Sequence, residues 1–361
     1  MCYLKPESKL PVLVTAIGGG GIGEQILKAL RIANGPYRII GADANPNCPQ
    51  FSMVDEREVL PLASDPGYMD ALLAICKRHG VKALFYGCEP ELNLFALHRE
   101  RIEKEGIFLP INPTEVIRVC LDKEATNRRL ADLGFDAPRF VRVTRREDLS
   151  DIDWYPVVVK PSLGGGGSAN VYIAQSSTEL LGLAAYLGLE TESNFLIQEY
   201  VGTPEDEYTV GVLNDMDGNY LNSIAVRRQL TGQLNVRTSV VNRTGRKQLG
   251  PKLVVSSGIS HGQVGRFPEV TRQCREIAQA IGATGPINVQ CRLVAGRVKV
   301  FEINPRFSGT TSLRAMVGYN EPDVMIRRHI FHETFQPDFE YREATILRSL
   351  REDIVSSRDP K

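Results

Sequence analysis

The first third of the chain alternates two hydrophobic rhythms. "LPVLVTAI" at 10–17 is a continuous apolar run of the kind that fills a buried strand, and "GEQILKALRIA" at 23–33 spaces its apolar residues at the helical period. "YRIIGADAN" at 37–45 predicts a second strand ending in Asp43. "DPGYMDALLAICKRHG" at 65–80 predicts a helix with an acidic start and a glycine stop, and "VKALFYG" at 81–87 a third strand. "LNLFALHRERIEKEG" reads as one more helix and "IFLPINP" as a fourth strand. Strand, helix, strand in that order predicts a parallel α/β sheet with right-handed crossovers.

The pattern then changes. In "INPTEVIRVCLDKEATNRRLADLGFDAPRF", Thr114 is expected to cap one short helix and Asp122 a second one carrying Lys123, with Pro138 closing the segment after Gly134. "YPVVVKPSLGGGGSANVYIAQS" at 155–176 reads as a strand ending in Lys160, a glycine tip and a returning strand. "FLIQEYV", "EYTVGVL" and "YLNSIAVRR" follow with no helix between them, the last two joined by the turn "NDMDGN", so this part is antiparallel, of α+β type. After a loop rich in basic residues and glycine, "FPEVTRQCREIAQAIG" predicts an amphipathic helix. It leads into a hairpin of "INVQCRLV" and "VKVFEIN" around the turn "AGR". From residue 337 the chain is expected to be a partly disordered tail.

Composition narrows the class. A chain of 361 residues suits two or three subdomains, and 43 basic against 43 acidic side chains leave no net field to attract nucleic acid or a membrane surface. The opening "MCYLKPESKL" has no apolar core of a signal peptide, and no run approaches the ~20 apolar residues of a membrane span. The cysteines (Cys2, Cys48, Cys76, Cys88, Cys120, Cys274, Cys291) are scattered, with no CxxC spacing, which fits free thiols in a reducing cytosol. A cytoplasmic enzyme is the expectation.

Two runs of four glycines carry the candidate chemistry. In the first, Gly18, Gly20 and Gly23 have GxGxxG spacing and Asp43 follows about 20 residues later, the arrangement of a dinucleotide site. The same glycines equally suit a tight turn that packs a helix on its sheet, or a site for part of another substrate. The second run follows a lysine. Its backbone N–H groups can fold over phosphates while Lys160 supplies a point charge, and the order of residues is not that of a Walker A loop. In the last hairpin Asn288 and Gln290 share one face, as do Glu302 and Asn304, an oxygen donor set suited to Mg²⁺. Arg306 follows and can fork onto a phosphate or carboxylate. The "HIFHE" pair at 329–333 lacks further ligands and reads as packing and surface.

Taken together, "DK" at 122–123, "VVVKPSLGGGGS", "QEYV" with "EYTV", and "NVQ" paired with "FEINPR" resemble the ATP-grasp superfamily. The likeness is to single-unit proteins related to one synthetase half of the carbamoyl-phosphate synthetase large subunit, and it spans about residues 11–330. The resemblance implies a Rossmann-like pre-ATP-grasp domain over 1–112 and linker helices with a lid subdomain over 113–200. A C-terminal ATP-grasp subdomain over 201–336 and a tail over 337–361 would follow. It makes Lys123 and Lys160 the lysines that hold ATP phosphates and Gly164, Gly165, Gly166, Gly167 and Ser168 the lid over them. Glu199, Tyr200 and Val201 become the hinge whose backbone reads adenine, and Glu207 the ribose ligand. Gln290, Glu302 and Asn304 would hold Mg²⁺ or Mn²⁺, and Arg306 would contact the transferred phosphate or an anionic substrate. Gln290 departs from the many relatives that carry a carboxylate there. The first glycine run would then face substrate rather than NAD, with Gly20, Asp43, Glu89 and Glu91 on a rim suited to an amine.

The implied chemistry is ADP-forming ligation of a small-molecule carboxylate to an amine through an acyl phosphate, with amino-acid or peptide-type substrates leading. Bicarbonate or another acceptor is the alternative within enzymes. A non-catalytic ATP-binding module and a dehydrogenase using the first glycine run are the alternatives outside that class. A homodimer is left open.

Overall fold

The computed structural model describes residues 9–164, 168–188 and 194–350. The first unit runs β1 (Leu10–Val14), α1 (Ile22–Ala33), β2 (Tyr37–Asp43), β3 (Glu56–Val59), α2 (Tyr68–His79), β4 (Ala83–Phe85), α3 (Glu89–Leu97) and α4 (Arg99–Glu103). Its four strands lie in the order β3-β2-β1-β4, all parallel. α2 ends as its sequence predicts: Gly80 turns left-handed at φ 64° and returns its N–H to the carbonyls of Cys76 and Lys77.

Two expectations for this unit need correction, and one strand was not expected. "IFLPINP" makes only one parallel bridge, Phe108 to Ala83, because Pro110 and Pro113 lack the N–H donors that would extend a ladder. The predicted helix over 92–106 breaks at His98 into α3 and α4. The edge strand β3, "EREV", escapes a hydrophobic reading because its charged side chains are mostly exposed.

The next stretch holds α5 (Thr114–Leu121), α6 (Lys123–Asp132), β5 (Phe140–Val143), β6 (Val157–Pro161), β7 (Tyr172–Ala174), α7 (Ser177–Leu187) and β8 (Phe195–Glu199). These strands form an antiparallel sheet in the order β5-β8-β6-β7. Asp122 caps α6 as expected, accepting from the amides of Glu124 and Ala125. Thr114 does not cap α5; it is already the first helical residue, and Pro113 occupies the cap without a side-chain hydrogen bond.

The remainder comprises β9 (Glu207–Asn214), β10 (Tyr220–Arg228), β11 (Val236–Val241), β12 (Lys252–Ser256), β13 (Gly262–Gly265), α8 (Pro268–Ala280), β14 (Pro286–Val294), β15 (Arg297–Asn304), α9 (Thr311–Met316), α10 (Glu321–His329) and β16 (Ala344–Ile346). Six strands pair antiparallel in the order β15-β14-β9-β10-β13-β16, and β11 with β12 forms a separate ribbon inside the basic, glycine-rich stretch expected to be loop. The tail is also corrected. β16 pairs with β13, Tyr341 is buried and donates to the Ser223 carbonyl at 2.8 Å, so residues 337–350 belong to the packed structure. Residues 351–361 lie outside the described residues.

The first unit and the six-stranded sheet share one core. Ile26 and Leu30 of α1 join Leu313 of α9 and Val324 of α10 in a single apolar cluster. Polar locks cross the same boundary: Asn112 donates to the carbonyls of Pro286 (2.8 Å) and Pro305 (3.1 Å), and the Tyr37 hydroxyl donates to Asp323 at 2.6 Å. Among the described residues no helix is long and apolar enough to cross a membrane.

Candidate functional site

Between the four-stranded and six-stranded antiparallel sheets lies a cleft whose walls include Lys123, Lys160, Tyr200, Glu207, Gln290 and Glu302. Lys160 stands on β6 and is buried, only 5% exposed. Its Nζ donates to Gln198 Oε1 at 2.7 Å and to the Phe301 carbonyl at 2.8 Å. Burial, helped by the nearby Lys123 charge and opposed by Glu302, pushes its pKa down to about 7. Both hydrogen-bond acceptors are neutral, so the lysine's charge is not spent on a carboxylate.

Lys123 reaches the same cleft from α6. Asp122 accepts the Ser162 hydroxyl at 2.9 Å while capping the helix, the Lys123 amide donates to the Ser162 carbonyl at 3.0 Å, and Lys123 Nζ donates to the Gly164 carbonyl at 2.9 Å. The start of α6 is thereby tied to the end of β6 and to the mouth of the second glycine run. Gly164 takes φ 70°, a conformation open to glycine at no steric cost. Gly165, Gly166 and Gly167 lie outside the described residues. On the far side of the run, the Ser168 hydroxyl donates to the Ser256 carbonyl at 2.7 Å, which bridges the glycine hairpin to β12.

The expected hinge lies where β8 leaves its sheet, and part of its backbone is already committed. The Glu199 amide donates to the Arg139 carbonyl at 2.8 Å and the Tyr200 amide to the Pro156 carbonyl at 3.0 Å, while the Val201 carbonyl accepts from Arg292 at 3.1 Å. Tyr200 is buried with the Arg292 guanidinium 4.5 Å above its ring. Glu207 lines the cleft but is engaged by two arginines, Arg292 Nη2 at 2.9 Å and Arg228 Nη1 at 3.3 Å. Burial pushes the Glu207 carboxyl up, yet the two guanidiniums outweigh it and hold the group below the usual range.

The register of β14 and β15 places Gln290 opposite Glu302 and Asn288 opposite Asn304, with a bulge after Gln290. Only the first pair lines the cleft. Asn288 is committed elsewhere, its Oδ1 accepting from Thr209 at 2.9 Å and Arg314 at 2.6 Å. Asn304 is buried and its Nδ2 has no hydrogen-bond partner among the described residues. No group of three or more His, Cys, Asp or Glu side chains poised for a metal occurs among the described residues. The donor set of one carboxylate and neighbouring amides therefore fits Mg²⁺ shared with phosphate oxygens and does not fit an all-protein cage.

The residues expected to meet substrate divide. Arg306 donates to Glu89 at 3.0 Å and to the Phe307 carbonyl at 3.0 Å, and its buried Nε lacks a partner among the described residues. It joins the last antiparallel hairpin to the start of α3. Asp43 is used locally, accepting from the amides of Gly18 (2.8 Å) and Asn45 (2.9 Å). Glu91 is not on an open rim. It is 4% exposed, accepts from Thr15 (2.8 Å), Tyr68 (2.6 Å) and the Gly87 amide (2.9 Å), and burial raises its pKa. Gly20, at φ 73°, donates to Glu24 at 3.0 Å, and a Cβ at Gly23 would lie 2.4 Å from the Ala16 carbonyl. The first glycine run is a tight turn that seats α1 against β1, and Gly18, Gly19 and Gly21 line a cavity together with Asp43. The histidine pair also follows expectation, since His329 accepts from the Met216 amide at 3.1 Å and stacks on Phe108.

Sequence reading missed Gln198 and Arg292. Gln198 is a polar residue inside the apolar run of β8, and Arg292 follows Gln290 at strand spacing, so both signals were present.

Comparison with known proteins bears on the fold. A family model described as "PylC-like, N-terminal domain" matches residues 12–110, and one described as "ATP-grasp in the biosynthetic pathway with Ter operon" matches residues 251–346. The chain is similar to the carbamoyl phosphate synthase large chain of Thermoplasma volcanium, 23% identical over 86% of this chain but 30% of that one, so it spans under a third of that relative's length. It superposes on N5-carboxyaminoimidazole synthetase from Staphylococcus aureus complexed with ADP, with TM-score 0.65 and 16% identity, covering 93% of this chain and 81% of that one. Residues 251–346 thus match an ATP-grasp family model, and the chain shares its fold with these enzymes. A further neighbour with the same fold is the L-amino acid ligase from Bacillus licheniformis, with TM-score 0.61 and 17% identity over 89% of this chain and 74% of that one.

Proposed function

We propose that the protein is an ATP-dependent, ADP-forming ligase that activates a small-molecule carboxylate as an acyl phosphate and joins it to an amine. The observation that carries this reading is the meeting of Lys123 and Lys160 with Gln290 and Glu302 in one cleft. Two cations supplied from different elements face an oxygen donor pair, which is the arrangement a polyphosphate with Mg²⁺ requires. Several relatives and neighbours are named as ligases or synthetases, which supports the reaction class and leaves the substrates to experiment.

In this reading Lys123 and Lys160 offset phosphate charge, Gly164 to Ser168 fold over the phosphates, and the Val201 amide donates to the adenine edge. Glu207, locked by its arginines, presents its carboxylate to the ribose. Gln290 and Glu302 would hold Mg²⁺ (or Mn²⁺), with Asn304 behind them; the ion would supply charge neutralisation at the transferring phosphoryl group. The carboxylate substrate attacks the γ-phosphate, ADP leaves, and the amine displaces phosphate from the acyl phosphate. No side-chain nucleophile takes part, so the chain contributes positioning and electrostatics. Arg306, two residues beyond Asn304, would orient the anionic substrate.

The test is release of ADP from Mg-ATP with pooled amino acids and small carboxylic acids, each with and without added amines. Release that requires both a carboxylate and an amine is expected. Release with bicarbonate alone, or tight Mg-ATP binding with no turnover in any pool, would overturn the ligase reading.

A further inference from the structure

A relay of buried amides joins the two lysines of the cleft, and no acid takes part in it. Asn127 stands on α6 one turn after Lys123, and Gln198 stands on β8, which pairs with β6; both are 2% exposed. Asn127 Nδ2 donates to the Lys123 carbonyl at 2.6 Å, Gln198 Nε2 donates to Asn127 Oδ1 at 3.0 Å, and Lys160 Nζ donates to Gln198 Oε1 at 2.7 Å.

The direction of the relay is forced from its far end. A backbone carbonyl only accepts, so the Asn127 amide turns its NH2 group toward Lys123 and its oxygen toward Gln198. That oxygen can take only the NH2 group of Gln198, which leaves the Gln198 oxygen for Lys160. Turned the other way, Gln198 would set N–H groups against an ammonium that has no acceptor of its own, in a buried site where an unmet donor costs most. Lys160 spends a second N–H on the Phe301 carbonyl of β15 at 2.8 Å. A lysine ammonium carries three, so one remains for the cleft that Lys160 lines. Asn127 does not line that cleft and reaches it only through Gln198.

We infer that Asn127 is a positioning residue for phosphate recognition: acting through Gln198, it fixes Lys160 with one N–H free for a phosphate oxygen. The inference rests on the reading of this cleft as the nucleotide site and adds the residue that sets its buried lysine.

The experiment compares the affinity of the full chain for Mg-AMPPCP, a non-hydrolysable ATP analogue, with its affinity for adenosine, the first by calorimetry and the second by ligand-observed NMR. Asn127→Leu removes the acceptor for Gln198 Nε2 at similar volume. Mg-AMPPCP should then weaken by at least about ten-fold, the worth of a hydrogen bond to a charged group, while adenosine stays within about two-fold. Asn127→Asp keeps an oxygen for Gln198 in either protonation state and should hold Mg-AMPPCP within about three-fold of the unsubstituted chain. In a Gln198→Met background, Asn127→Leu should cost nothing further, because its route to Lys160 is already cut. Asn127→Ala, well suited to a helix, gives the same readout should the leucine variant fail to fold. Equal loss of both ligands, full Mg-AMPPCP affinity in a folded leucine or alanine variant, or no rescue by Asp would overturn the role of Asn127 and leave nucleotide binding standing. No saturable Mg-AMPPCP binding by the unsubstituted chain would overturn the nucleotide reading, and this inference with it.

Discussion

Lys160 shows how one residue can be both placed and tuned by its surroundings. Burial and Lys123 lower its pKa to about 7, so the folded protein gives up this proton near neutrality while the unfolded chain holds it to about pH 10.4. Below pH 7 both forms are charged and the burial penalty is felt in full. Across the window from 7 to about 10.4 the unfolded chain binds more protons, so the free protein's stability rises with pH relative to Lys160→Met. In the proposed reading, a phosphate beside Lys160 would restore the charge. Mg-ATP binding at pH 8 should therefore take up close to one proton, read by calorimetry in buffers of different ionisation enthalpy, and Lys160→Met should show no such uptake. At Glu302, removal of the one carboxylate opposite Gln290 should lower turnover by roughly 10²-fold or more in Glu302→Ala, with the melting temperature little changed. Near-normal turnover in that folded variant would remove Glu302 from the metal site.

At the scale of elements, helix starts and strand pairing decide what the cleft presents. Asp122 caps α6 and holds Ser162 at the end of β6, so one carboxylate aligns the elements that carry Lys123 and Lys160. Asp122→Ala should cost ~1–2 kcal/mol of stability and raise KM for ATP, whereas a purely structural cap would leave KM alone. Behind β14 a buried pair joins α9 to α10, Arg314 with Glu321 at 3.1 Å, both side chains 1% exposed, and β9 packs so close that a Cβ at Gly211 would lie 2.2 Å from Arg314 Nη1. Arg314→Leu leaves Glu321 uncompensated and should lower stability by ~3–5 kcal/mol in chemical denaturation. These elements were largely legible: α2, α6, α8, the glycine hairpin and the β14–β15 hairpin follow from apolar period and turn residues. β3 was not, because an exposed, polar pairing strand carries no hydrophobic signature; the β11–β12 ribbon was missed although Leu253 and Val254 of β12 are buried, because its short apolar run sits among basic residues and glycines.

At the scale of the molecule, the parallel unit and the six-stranded sheet share one core through α1, α9 and α10, and Glu89 with Arg306 spans that boundary. The pair is partly exposed, so Glu89→Gln should cost no more than about 1 kcal/mol. If Arg306 orients the substrate, the same variant should shift KM for carboxylate or amine while KM for ATP stays fixed. Steady-state kinetics with the ligated pair would separate the two.

The sequence by itself determined the order of elements, the lysine before the second glycine run, and the alternation that puts Glu302 and Asn304 on one face, whereas the bulge after Gln290 that sets Gln290 opposite Glu302 came from the structure. The legible features depend on local period and turn chemistry, both of which act over short separations. Only the tertiary structure decided which polar residues remain available. Glu91 and Asp43 look like rim ligands in the sequence, yet partners from other elements or from their own loop occupy them. Gln25 lies on α1, and α9 and the C-terminal stretch bury it, its Nε2 without a partner among the described residues. Hydrogen-bond satisfaction is settled by residues up to hundreds of positions apart, so no local pattern could have announced it.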